Sequence, residues 1–123
     1  ELVRAVHAAR VAAATRGVEV VLCPSATGRQ CAPGTPWSAG FIAFANRDRD
    51  NPPRVDPAEE VLQAGTPSRR ISITANRASF VLRPPGRRSV NGTFVVCDGR
   101  GLATARIVVV SPSGRPRTAA AAH

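Results

Sequence analysis

One helix-like segment followed only by short strand-like runs is the feature that constrains this chain most. Leu2, Val6, Ala9 and Ala13 recur at helical spacing, with Arg4 and Arg10 on other faces, so a helix is predicted over residues 1–16. Gly17 suits a helix C-cap, and Arg16 puts a cation in the last turn, where it complements the helix dipole. After Gly17 the apolar residues come in brief, mostly β-branched runs. Strands are expected at 18–22, 40–44, 61–62, 71–74, 79–82, 93–96 and 105–110. Between them lie a turn-rich stretch at 24–36, a polar loop at 46–57, the turn Pro84-Pro85-Gly86, the hairpin signal Asp98-Gly99-Arg100-Gly101 and a turn at 111–114. There is no internal repeat. A single helix packed on antiparallel sheet is an α+β architecture. Residues 1–17 are its helix, 18–117 its β-rich head and 118–123 an Ala-rich tail expected to be flexible.

A chain of 123 residues with 43% hydrophobic residues and a mean hydropathy of −0.08 is one globular domain with a core of its own. With four Phe, one Trp and no Tyr, that core must be mostly aliphatic. Trp37 is expected to anchor packing over the sheet, and Phe80 and Phe94 to lie inside it. No stretch approaches the ~18–20 apolar residues of a membrane span. The chain holds no Met and opens inside a helical pattern, so a segment with room for a signal or a membrane anchor is expected to precede Glu1.

Charge is distributed unevenly. Residues 1–68 hold seven Arg and seven acids, whereas residues 69–123 hold ten Arg against Asp98 alone, which is the whole of the net +9. Every one of the 17 basic residues is Arg. A GC-rich genome accounts for that bias, and guanidinium forks also suit phosphate. Such an excess costs self-repulsion and points to an anionic partner.

The three cysteines, Cys23, Cys31 and Cys97, fit no metal-ligand spacing, and no His lies near them. In an oxidising compartment one pair would close and one thiol would remain. Cys23–Cys31, tying a short loop around Thr27-Gly28, is the preferred pairing; Cys23–Cys97 competes with it. Cys97, at the end of an apolar run, is then expected to be a buried thiol.

Catalytic patterns are missing. His7 has no nucleophile or carboxylate placed for it, Ser25 sits in no Gly-x-Ser-x-Gly elbow, and no Gly-rich phosphate loop occurs. Asn46, Asp48 and Asp50 alternate as in a calcium loop, but the following Gly is absent and Pro57 stands where a closing Glu belongs. Neither enzymatic activity nor a cofactor is expected.

Several residues in order resemble a known family: Glu1-Leu2-x-x-Ala5-x-x-x-Ala9-Arg10, then Arg16-Gly17, Val20-Val21-Leu22-Cys23-Pro24-Ser25, Gly28, Cys31, Trp37-Ser38-Ala39-Gly40-Phe41, Phe44, Asn91-Gly92-Thr93-Phe94, Cys97-Asp98 and Ser113-Gly114-Arg115. Over nearly the whole chain this is similar to the soluble domain of the GspH/FimT family of minor type IV pilins and type II secretion pseudopilins. The resemblance implies that residues 1–16 are the outer part of a longer hydrophobic helix. That helix anchors the protein in the inner membrane and later packs among other pilins in the filament. The head would be periplasmic and then exposed at a pilus tip. The FimT-like branch serves DNA uptake in natural transformation and carries a Gly-Arg-x-Arg motif that contacts DNA; here that motif is Gly114-Arg115-Pro116-Arg117. The other branch would act structurally, priming filament assembly.

Arg115 and Arg117, two apart in an extended segment, would then project to the same side. Pro116 stiffens the backbone between them and Gly114 lets it turn sharply out of the sheet. Arg87, Arg88 and Arg100 would extend the surface. The basic half contains neither a recognition helix nor an aromatic platform, so binding is expected to rest on the phosphate backbone, without sequence preference.

Overall fold

The computed structural model describes residues 2–32, 34–46, 55, 59–66, 72–84, 86–97 and 106–120. Helix α1 (Leu2–Arg16) buries Leu2, Ala5, Val6, Ala9 and Ala13 on one side. Its last turn closes through a bond from the Gly17 N–H to the Ala13 carbonyl at 3.0 Å. Gly17 sits at φ 66°, a left-handed conformation glycine adopts without a Cβ penalty. The small buried residues let the helix lie close on the sheet. Two polar contacts hold it to Gln63 and Glu60. The Gln63 amide donates to the Ala5 carbonyl at 2.8 Å, and Arg16 pairs with Glu60 at 2.9 Å.

Eight strands form two antiparallel four-stranded sheets among the described residues. The first runs β3 (Val61–Gly65), β2 (Phe41–Ala45), β1 (Val20–Pro24), β5 (Phe80–Leu82); the second runs β4 (Ser72–Ala75), β6 (Gly92–Cys97), β7 (Arg106–Val110), β8 (Pro116–Ala120). β1 and β2 are buried on both faces. α1 covers one face, and the other shelters a second apolar cluster of Val21, Cys23, Ile42 and Phe44. The loop after β1 reaches over that cluster, held by the Cys23–Cys31 disulfide. Gln30 fastens it further: its side-chain amide donates to the Val55 carbonyl at 2.6 Å and accepts from the Val55 N–H at 2.9 Å.

The two sheets meet at an aromatic cluster. Trp37, on a 3-10 turn (Trp37–Ala39), stands edge-on to Phe94 with ring centroids 4.9 Å apart, and Phe94 stacks on Phe80 at 4.5 Å. These contacts join β5 of one sheet to β6 of the other. Gly92 makes that approach possible, since a Cβ there would stand 2.7 Å from both the Phe80 ring and Asn76 Oδ1.

Three expectations need correction. The tail does not begin at Thr118: residues 118–120 belong to β8, paired with Val108, Ile107 and Arg106. The chain does not turn out of the sheet at Gly114 but folds back along β7, with Arg117 opposite Val109. Cys97 is free, as expected, but half-buried on the outer face of β6 rather than enclosed. β8 was hard to foresee because Pro-Arg-Thr-Ala-Ala has little strand propensity. It holds as an edge strand, where a proline's missing N–H costs the ladder least.

Candidate nucleic-acid interface

The β7–β8 connection is a three-residue hairpin loop. The Ser111 N–H donates to the Arg115 carbonyl at 3.1 Å, and the Gly114 N–H donates to the Ser111 carbonyl at 2.8 Å. Gly114 sits at φ 81°, the left-handed position that such hairpins reserve for glycine. It is also enclosed: a Cβ there would stand 3.3 Å from Ser89 Oγ and 3.6 Å from the Arg10 stem. Immediately beyond it, Arg115 and Arg117 are exposed on either side of half-buried Pro116. Arg117 shares the face of Val109, opposite the core-facing Val108 and Val110.

This hairpin is clamped from two directions. Arg10 Nε, on α1, donates to the Ser113 carbonyl at 3.2 Å. On the other side the Ser89 N–H donates to the Pro112 carbonyl at 2.8 Å. Ser89 belongs to the second basic turn. There the Arg87 N–H reaches the Pro84 carbonyl at 3.2 Å, Gly86 adopts φ 90°, and Arg87 and Arg88 are both exposed. Arg83 braces this turn. Its Nε meets Glu19 at 3.1 Å, its Nη1 donates to the Arg88 carbonyl at 2.7 Å, and its own N–H donates to Ser89 Oγ at 3.0 Å. Glu19 is buried, so its charge is offset inside the scaffold and not on the basic surface.

The structure therefore brings Arg87 and Arg88 beside the Ser113-Gly114-Arg115 turn, although 26 residues separate Arg88 from Gly114. Arg100 lies outside the described residues. Between α1 and the two turns runs a groove of about 540 Å³ whose charged lining is Arg10, Arg83, Arg87 and Arg88. Arg10 and Arg83 were not foreseen as part of this region. Arg10 comes from the charge-balanced half and meets the hairpin across 103 residues, and nothing local in sequence marks such a contact. Chemically the arrangement offers several guanidinium groups on braced turns, able to donate forked hydrogen bonds to phosphate oxygens. Among the described residues no group of three or more His, Cys, Asp or Glu is placed for a metal ion, and no helix is long and apolar enough to cross a membrane.

One N-terminal helix laid on two antiparallel sheets is the architecture of a pilin head. Two crystal structures of the type IV minor pilin FimU of Pseudomonas aeruginosa share it. They superpose with TM-scores of 0.66 and 0.67 at 13% identity, over 96% of this chain and 86% and 82% of theirs. The family model described as type II transport protein GspH matches residues 1–114, and the chain belongs to that family of minor pilins and pseudopilins. No curated protein matches the sequence.

Proposed function

We propose that this chain is a minor type IV pilin that binds DNA without sequence specificity through Arg115 and Arg117, in support of DNA uptake during natural transformation. Arg87 and Arg88 enlarge the surface. The observation that carries this reading is the bond between the two basic turns, Ser89 N–H to the Pro112 carbonyl at 2.8 Å, which keeps two exposed Arg pairs in one region. Folding alone gives no reason to collect ten Arg against one acid in the last 55 residues. Gly114 and Pro116 fix where the motif's guanidinium groups emerge.

In this reading α1 continues into a membrane-anchoring helix. The head is periplasmic before assembly and exposed near the pilus tip afterwards, with other pilins as neighbours. Contacts go to the phosphate backbone, so affinity is micromolar or weaker and falls steeply with salt, by roughly 0.9 log units per log unit of salt for each phosphate engaged on a duplex. Titrating short duplex DNA at two salt concentrations tests this. Replacing Arg115 and Arg117 with Ala should weaken binding and flatten the salt slope by about two such contacts. Unchanged binding would remove these residues from the site. The family's description as a type II transport protein favours a second reading, a structural subunit that primes filament assembly. No measurable binding even at low salt would select it.

A further inference from the structure

We infer that the groove between α1 and the two basic turns receives a nucleotide of a single-stranded segment, a ligand distinct from the duplex backbone that the outer arginines can meet. The inference rests on the nucleic-acid reading above and specifies one part of that site.

Two properties of the groove select the ligand. Among the described residues its charged lining is entirely Arg, so an anion is favoured. Arg10 and Arg83 are held in place by their bonds to the Ser113 carbonyl and to Glu19, and Arg87 and Arg88 stand exposed at the rim. The remaining wall is largely apolar, formed by Val11, Ala14, Pro84 and Pro112. Val11 is 44% exposed, the one large hydrophobic side chain so exposed among the described residues.

A free phosphate would use the arginines and leave that wall unused. A duplex keeps its bases stacked inside a stiff cylinder, so it presents only backbone and touches the rim. A single strand supplies both parts: phosphates for the guanidinium groups, and an unstacked base for the apolar wall and the planar faces of Arg. About 540 Å³ lies within the ~300–1,000 Å³ of pockets that enclose small organic ligands. The groove also adjoins the motif, since Ser113 lines it and Arg115 follows two residues later.

Fluorescence anisotropy at low salt, with an oligothymidylate and a duplex of equal phosphate count, tests this. Ala14→Leu places a neutral side chain into the groove from an exposed helix position and keeps a strong helix former. Val11→Ser leaves the space open and removes the apolar wall. Both variants should melt close to the parent. Each should weaken oligothymidylate by about fivefold or more, the low end of what one stacked base contributes, and duplex by less than about twofold. Thymidine monophosphate should displace the oligonucleotide at lower concentration than inorganic phosphate. An unchanged ratio of single-strand to duplex affinity in both variants, or equal potency of the two competitors, would overturn the groove assignment and leave the duplex reading standing. Binding of neither polymer would overturn both.

Discussion

Replacing Gly114 with Ala tests whether the hairpin's backbone is what aims the motif. Two costs are expected. At φ 81° a Cβ meets the left-handed penalty of about 1–2 kcal/mol. It also stands 3.3 Å from Ser89 Oγ and 3.6 Å from the Arg10 stem, closer than comfortable contact on the first count. The Ser89 hydroxyl can yield only by disturbing the bond it accepts from the Arg83 N–H. That adds about 1 kcal/mol, in line with the penalty for a strained or weakened buried hydrogen bond. The sum is about 2–3 kcal/mol. Gly28→Ala is the internal control. Gly28 sits at φ 76°, and a Cβ there would meet nothing within 4 Å, so it carries the backbone penalty alone. Urea denaturation followed by Trp37 fluorescence should place Gly114→Ala about 1 kcal/mol below Gly28→Ala. Duplex affinity should fall for Gly114→Ala and hold for Gly28→Ala. Equal stability losses with unchanged DNA binding in both would refute the idea that the Arg10 and Ser89 clamps position Arg115 and Arg117.

Two further outcomes concern the scaffold. The Cys23–Cys31 bridge spans eight residues of sequence, and closing a loop of that size in the unfolded chain contributes about 2.5 kcal/mol in the chain-entropy model. Replacing both cysteines with Ser should lower the urea midpoint accordingly. The native fluorescence of Trp37 should stay unaltered, because Trp37 packs in the other apolar cluster. Gly92→Ala should cost about 3 kcal/mol, the upper range for overpacking, since its Cβ would overlap the Phe80 ring and Asn76 Oδ1 at 2.7 Å. Thermal unfolding checks this, and a loss under 1 kcal/mol would mean that the sheets can separate more easily than their aromatic contacts imply.

Much of the architecture was legible in the residues. The helix announced itself because its apolar residues repeat at the period of one face and Gly17 stops it. β2, β6 and β7 announced themselves through dense β-branched or aromatic runs between turn residues. Boundaries shifted where pairing outweighed local preference. β3 extends to Gly65 because β2 offers partners as far as Phe41. β8 exists because β7 presents a full edge to a sequence that would form no strand alone. In the candidate site, Arg115, Arg117, Arg87 and Arg88 stood out by charge, and Gly114 by its place in a turn. Arg10 and Arg83 did not, since their importance comes from what lies across from them.

The sequence by itself determined the class of fold, the single helix, the turn chemistry around Gly114 and the concentration of positive charge in the second half. These are local or compositional properties: a 3.6-residue period, a glycine's access to positive φ, a count of guanidinium groups. Only the tertiary structure decided which strands pair. β4 and β5 are neighbours in the chain, yet β4 joins β6 in one sheet and β5 joins β1 in the other, because burying Phe80 against Phe94 and Trp37 requires the chain to cross between sheets there. That crossing sets the Arg83–Ser89 segment beside the β7–β8 hairpin, and α1 supplies the third side. Arg10, Arg83, Arg87 and Arg88, distant in sequence, thereby line one groove, a property of distances that no stretch of sequence contains.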